Sequence, residues 1–159
     1  MKLHLQDTQA TLAFGVSLGK VVSKVNPFPA ILLQGNLGSG KTTLVRGLVE
    51  SLHGAELAEV SSPSFNIVNL YPTEPPVAHF DLYRLEGLPP DEALFEYMDD
   101  PGILTIIEWA QFLAPSLWPD NSIFLEWSPA ETGRNVTVHA TGKSSQEVVT
   151  SLSNEFKLK

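Results

Sequence analysis

Gly35 to Thr42 reads GNLGSGKT and fits the pattern G-x-x-x-x-G-K-[ST], a phosphate-binding loop. Gly35, Gly38 and Gly40 let successive backbone N–H groups turn inward and form a concave anion site. Asn36, Leu37 and Ser39 fill the positions between them. Lys41 brings a point charge to the β- and γ-phosphates of a nucleotide, and Thr42 offers a hydroxyl to Mg²⁺. Thr43 follows, inside the first turn of a helix whose positive dipole end faces the same pocket.

The flanks agree with that reading. Ala30-Ile31-Leu32-Leu33 is a short apolar run ending at Gly35, as a buried strand before such a loop should be. Leu44, Val45, Leu48, Val49 and Leu52 recur at helical spacing, and Gly54 reads as the helix stop. Upstream, Met1–Leu5 reads as an edge strand. Asp7 or Thr8 caps a helix to about Val25 with Phe14, Leu18, Val21 and Val25 on its buried face. Gly15 and Gly19 either weaken that helix or let a neighbour pack close.

Downstream, Phe65–Tyr71 and Val77–Tyr83 are strand-like around the turn Pro72–Pro76, which predicts an antiparallel hairpin. Gly87–Pro90 is a break, and Asp91–Met98 a short helix with acids at its positive end. Ile103–Glu108 is nearly continuous apolar sequence, the signature of a strand buried on both faces. Trp109–Leu117 is expected to be partly helical. Ile123–Trp127 and Asn135–Ala140 form a second hairpin, and Ser144–Phe156 a terminal helix or fraying tail. The expectation is one α/β domain over residues 1–159. It is a P-loop NTPase-like sandwich whose mixed sheet has a parallel core and antiparallel hairpin additions.

Composition narrows the chemistry. Hydrophobic residues make up 43% of 159 residues, enough for a real core. The net charge is −8, so the chain has no general attraction for nucleic-acid backbones. No DNA partner is expected, and any work on nucleic acid is expected to go through a partner or one local basic patch. The chain has no cysteine, which excludes disulfides, Cys-ligated zinc and Fe–S clusters. No apolar run approaches the ~18 residues of a membrane span. The patch Leu12–Gly19 reads as a helix face rather than a signal peptide, so the expected location is the cytoplasm.

A nucleotide hydrolase also needs carboxylates at strand ends to hold Mg²⁺ and position water. Asp81 follows Val77-Ala78-His79-Phe80, and Glu108 follows Leu104-Thr105-Ile106-Ile107. Lys41, Asp81 and Glu108 are therefore the candidate catalytic groups, and Thr42, Asp81 and Glu108 the candidate Mg²⁺ ligands. Which acid meets the metal directly stays open. His79 lies two residues from Asp81 and shares its strand face, where it either senses the γ-phosphate or is a half-buried strand histidine. Arg84 and Arg134 are alternative charge stabilisers. Ser62-Pro63-Ser64 lies where P-loop switches sense the γ-phosphate. No N-K-x-D segment is present, which favours ATP and ADP over guanine nucleotides.

Together GNLGSGKTT at Gly35–Thr43, SPSF at Ser62–Phe65, HFDLYRL at His79–Leu85 and IEW at Ile107–Trp109 closely resemble the TsaE (YjeE) family of bacterial P-loop ATPases. The resemblance implies a weak ATPase acting with TsaB and TsaD to make threonylcarbamoyladenosine on tRNA next to the anticodon. It implies that Ser62–Phe65 is a switch-like loop and that Trp109 lies beside the nucleotide site. Two departures stand out. The family's usual GDLGAGKT has Asn36 and Ser39 here, which removes one negative charge beside the phosphates. SPSF replaces SPT plus an aromatic, and Ser64 keeps the hydroxyl. A small-molecule kinase, or an interaction module gated by nucleotide with incidental hydrolysis, are the competing readings.

Overall fold

The computed structural model describes residues 1–86 and 88–157. Gly87, in the expected Gly87–Pro90 break, lies outside them, as do Leu158 and Lys159. The elements in chain order are β1 (Lys2–Leu5), α1 (Thr8–Val22), β2 (Ala30–Gln34), α2 (Lys41–Glu50), β3 (Val68–Tyr71), β4 (Val77–Asp81), α3 (Glu92–Asp99), β5 (Leu104–Glu108), β6 (Ser122–Pro129), β7 (Arg134–Thr141) and α4 (Lys143–Lys157).

Among the described residues, seven strands form one mixed sheet in the order β1-β7-β6-β2-β5-β4-β3. β6, β2, β5 and β4 run parallel, and this is the core that the apolar runs predict. β3 joins β4 antiparallel at one edge, and β7 and β1 extend the other edge antiparallel. Alternate residues of each central strand face opposite sides of the sheet. Ile31, Leu33 and Ile106 pack with Phe14, Leu18, Leu44, Leu48, Val148 and Leu152 under α1, α2 and α4. Leu32, Phe80 and Ile107 pack with Leu94 of α3 and Leu113 on the other face. The sheet is thus the middle layer of a sandwich.

α1 begins where sequence puts it: Asp7 Oδ1 accepts from the Ala10 amide at 2.8 Å, the side-chain cap of an N-terminus. α1 and α2 then cross at very close range. A Cβ on Gly15 would stand 2.3 Å from the Leu44 carbonyl oxygen, and one on Gly47 would stand 2.3 Å from that of Leu12. Of the two readings of Gly15, close packing is the one the fold uses. The consequence is functional, because α2 is the helix that opens at the phosphate loop.

Several boundaries move. α1 stops at Val22, and Val25 packs against the core from the following turn. The expected strand Phe65–Tyr71 begins only at Val68. Phe65–Ile67 instead turn over Pro63, whose carbonyl accepts from Asn66 N at 3.0 Å and Ile67 N at 2.7 Å. Ile67 takes φ +69°, which no strand permits. The chain after Val77 leaves the sheet at Asp81, and Tyr83–Leu85 form a 3₁₀ turn. Trp109–Leu117 resolve into two 3₁₀ turns, Ala110–Phe112 and Pro115–Leu117. The C-terminal segment is a regular helix from Lys143, whose Val148 and Leu152 are buried.

Candidate active site

The loop after β2 and the acids that end β4 and β5 meet at the C-terminal ends of the parallel strands. β2 runs into the loop Gly35–Gly40, and Gly38 (φ +73°) and Gly40 (φ +107°) take left-handed conformations that set the curve of the cradle. In the register of β4 and β5, Asp81 lies opposite Glu108, and Leu33 of β2 lies opposite Glu108 on its other side. Asp81 shares its strand face with Val77, and Glu108 shares its face with Leu104 and Ile106, all on the α1/α2 side. Strand periodicity therefore aims both carboxylates at the side of the sheet from which α2 rises.

Lys41 lies folded across the loop. Its Nζ donates to the Gly35 carbonyl at 2.7 Å and the Asn36 carbonyl at 3.0 Å, and it stands 4.1 Å from the centre of the Trp109 ring. Burial pushes the Lys41 pKa down, and the nearby Glu108 and Asp81 charges oppose that shift. Trp109 holds this position from a left-handed backbone, φ +59°. Asn36 thus serves Lys41 through its backbone oxygen, a contact that is indifferent to the Asn-for-Asp difference in the side chain.

The two acids carry different partners. Thr42 Oγ1 donates to Glu108, 2.8 Å from Oε1 and 3.1 Å from Oε2. His79 Nε2 lies 2.9 Å from Glu108 Oε1, with the histidine fully buried. Asp81 accepts from Ser62 Oγ at 2.6 Å and from the Tyr83 amide at 2.9 Å. Both acids are also nearly buried, at 5% exposure for Asp81 and 2% for Glu108, so these donors are what offset their desolvation.

A cleft of about 450 Å³ opens above this set. Leu37, Gly38, Ser39, Gly40, Lys41, Thr42, Thr43, Ser62, Ser64, Asp81, Glu108 and Trp109 line it, so most residues singled out from the sequence converge there. Gly35 and Asn36 do not line it and instead hold Lys41 from behind. Arg84 and Arg134 both line it, Arg134 with Nη1 close enough to Gly40 to stand 2.7 Å from a Cβ built there. Phe65 stays outside, exposed, with the Arg84 guanidinium 4.4 Å from its ring centre.

Sequence reading missed Thr8, Tyr83 and Tyr71. Thr8 and Tyr83 line the cleft, and the Tyr71 hydroxyl lies 3.1 Å from His79 Nδ1. The signal for Tyr71 lies in the hairpin register: Tyr71 pairs with Val77, so His79 is its diagonal neighbour on one face.

The donor set suits a small hard cation: one hydroxyl and two carboxylates, with room in the cleft for water and phosphate oxygens. Among the described residues there is no group of three or more His, Cys, Asp or Glu side chains placed to cage a metal by themselves. That is also the usual pattern for Mg²⁺, which is held by one or two protein groups together with substrate phosphates. Among the described residues no helix is long and apolar enough to cross a membrane.

Comparison with known proteins gives the family and the fold. The family model described as "Threonylcarbamoyl adenosine biosynthesis protein TsaE" matches residues 5–136. A relative from Nostoc sp. named tRNA threonylcarbamoyladenosine biosynthesis protein TsaE is 40% identical over 120 residues, covering 69% of this chain and 68% of that protein. The protein of the same name from Haemophilus influenzae is 28% identical over 158 residues, covering 95% and 96%. The one from Bacillus subtilis is 32% identical over 117 residues, covering 73% and 72%. The crystal structure of Bacillus subtilis YdiB superposes with a TM-score of 0.77 over 98% of this chain and 95% of that one, at 22% identity, and so shares the fold. With a matching model over most of its length and these relatives beside it, the chain belongs to the TsaE family.

Proposed function

We propose that this chain is the ATP-binding and hydrolysing subunit of the machinery that makes threonylcarbamoyladenosine on tRNA next to the anticodon. It acts in the cytoplasm with TsaB and TsaD, and reaches tRNA through them. The family description and the names of the relatives support the pathway. The observation that carries the chemistry is the direct contact of Thr42 Oγ1 with Glu108 beside a lysine cradled in a phosphate loop.

In this reading the backbone N–H groups of the loop and the start of α2 bind the phosphates. Lys41 exchanges the Gly35 and Asn36 carbonyls for phosphate oxygens, and Trp109 covers its other side from water. Thr42, Asp81 and Glu108 would hold Mg²⁺, which when bound neutralises charge on the β- and γ-phosphates. The carboxylates at the strand ends orient the water that attacks the γ-phosphate. Both are fixed by short hydrogen bonds, so little reorganisation is needed when charge develops.

The test is reconstitution. The chain is mixed with TsaB, TsaD, tRNA, threonine, bicarbonate and Mg-ATP, and modified adenosine is sought by mass spectrometry alongside phosphate release. Modified tRNA that requires this chain supports the reading. Label passing from γ-labelled ATP to a small acceptor would replace it with a kinase.

A further inference from the structure

Ser61 and Ser62 are adjacent in the chain, yet each leads to a different acid. Ser62 Oγ bonds Asp81 directly. The Ser61 carbonyl accepts from Tyr71 OH at 3.2 Å and from Asn69 Nδ2 at 3.1 Å. Tyr71 OH in turn lies 3.1 Å from His79 Nδ1, and His79 Nε2 lies 2.9 Å from Glu108 Oε1. The path Ser61–Tyr71–His79–Glu108–Thr42 is a continuous line of polar contacts through the interior. Tyr71 is 4% exposed and His79 is fully buried.

We propose that His79 and Tyr71 are positioning residues that set the orientation of Glu108 and tie it to the conformation of the 61–64 loop. The inference rests on the Mg-ATPase reading above. A carboxylate only accepts, so Nε2 of His79 is the donor towards Glu108. Glu108 otherwise leans on the Thr42 hydroxyl, the same hydroxyl that this reading assigns to Mg²⁺. His79 Nε2 is the second side-chain donor on that carboxylate. The Tyr71 hydroxyl has one proton for two acceptors, Nδ1 on the far side of the imidazole and the Ser61 carbonyl, so the position of the loop governs which of them it serves. A shift of the loop at Ser61 therefore reaches Glu108 through two rigid rings, while a shift at Ser62 reaches Asp81 directly. Both acids respond to one segment, and that segment also contributes Ser62 and Ser64 to the cleft.

The test compares His79→Leu, His79→Gln and Tyr71→Phe with the wild-type chain. Glutamine can return an N–H donor near the Nε2 position and leucine cannot. We expect His79→Leu to lower kcat about tenfold or more, the worth of a hydrogen bond to a charged group. Affinity for a fluorescent ATP analogue should stay within about twofold, because no phosphate contact is removed. His79→Gln should recover most of the lost rate, and Tyr71→Phe should give a smaller fall in kcat alone. A readout independent of turnover is the imidazole ¹⁵N spectrum. His79 signals should move when Mg²⁺ and adenylyl-imidodiphosphate are added, and Tyr71→Phe should weaken that response.

Unchanged kcat in both His79→Leu and Tyr71→Phe would overturn the inference and leave the ATPase reading standing. So would equal losses in the leucine and glutamine variants, or ring signals that ignore bound nucleotide. If His79→Leu does not fold, Tyr71→Phe and the wild-type spectrum decide by the same criteria. A wild-type chain that binds no nucleotide would overturn the ATPase reading and this inference together.

Discussion

Asp81 and Glu108 are register partners on adjacent parallel strands, and each is held by a hydroxyl from a different segment: Ser62 for Asp81, Thr42 for Glu108. The two carboxylates are therefore not interchangeable. Glu108 is tied to the first turn of α2 and Asp81 to the 61–64 loop. Glu108→Gln should keep the fold, retain nucleotide affinity within a few-fold and lower phosphate release by roughly 10²-fold or more, the usual cost of losing a positioned acid–base group. Phosphate release and analogue binding measured on one preparation check this. If the variant stops hydrolysing yet supports tRNA modification in the reconstituted mixture, nucleotide gating rather than hydrolysis is what the complex uses.

Asp81→Asn should act differently. It weakens the hold on Ser62 and removes a charge from the proposed Mg²⁺ site, so nucleotide affinity should fall more in the presence of Mg²⁺ than in EDTA. Ser62→Ala should reproduce a fraction of that effect, since Asp81 keeps the Tyr83 amide at 2.9 Å. Titrations of the analogue with and without Mg²⁺ measure both. An equal loss under the two conditions would make Asp81 a structural strand-end residue.

Lys41 gives a prediction with a pH dependence. Lys41→Met should abolish nucleotide binding, because it removes the cation of the cradle. It should not lower the stability of the nucleotide-free chain. Burial holds the Lys41 pKa below its ordinary value, so the unfolded chain binds this proton more readily than the folded one. The group therefore costs stability at neutral pH, and that cost falls as pH rises through the folded pKa towards 10.5, the ordinary lysine value. The melting temperature of Lys41→Met should equal or exceed that of wild type at pH 7, and the gap should narrow in alkali. Tyr71, whose pKa burial raises, is present in both proteins and cancels in the comparison.

The sheet core was legible because its strands are apolar runs and its helices keep a 3.6-residue period, signals that depend on burial alone. The acids were legible for a related reason: a carboxylate directly after Ile106-Ile107 or His79-Phe80 has nowhere to go but the strand end. The 63–67 turn was not legible. Ile67 and Phe65 have high strand propensity, but the Ile67 carbonyl accepts the Asp81 amide at 3.1 Å, and the left-handed Ile67 backbone that permits it is fixed by tertiary bonding. Tyr71 escaped because its partner lies diagonally across a hairpin whose register depends on turn geometry. Gly15 was ambiguous because a glycine in a helix reads the same whether it is tolerated or required.

That ambiguity yields a stability prediction. A methyl group at Gly15 or Gly47 would collide with backbone, which cannot rotate away as a side chain does. Gly15→Ala should destabilise by about 1–3 kcal/mol, the cost of overpacking, despite alanine's better helix propensity. It should also shift α2 and weaken nucleotide binding, since α2 begins at Lys41. Chemical denaturation gives the first quantity and analogue titration the second. A stabilised Gly15→Ala would mean that α1 and α2 can separate without cost.

Arg84 and Arg134 reach the cleft from different segments, and their surroundings assign them different work. Arg134 lies against Gly40, where the loop turns into α2, so it is placed to meet phosphates that ATP and ADP share. Arg84 belongs to the Tyr83–Leu85 turn just beyond Asp81 and stacks on Phe65, which follows the 61–64 loop. Arg134→Ala should therefore weaken ATP and ADP alike, by roughly tenfold, the worth of one charge-assisted hydrogen bond. If the 62–65 loop senses the γ-phosphate as proposed, Arg84→Ala should spare ADP affinity and lower turnover, because Arg84 stacks on Phe65. Binding constants for both nucleotides, with phosphate release for each variant, separate the two roles. The opposite pattern, with turnover lost in Arg134→Ala and shared affinity lost in Arg84→Ala, would reverse the assignment.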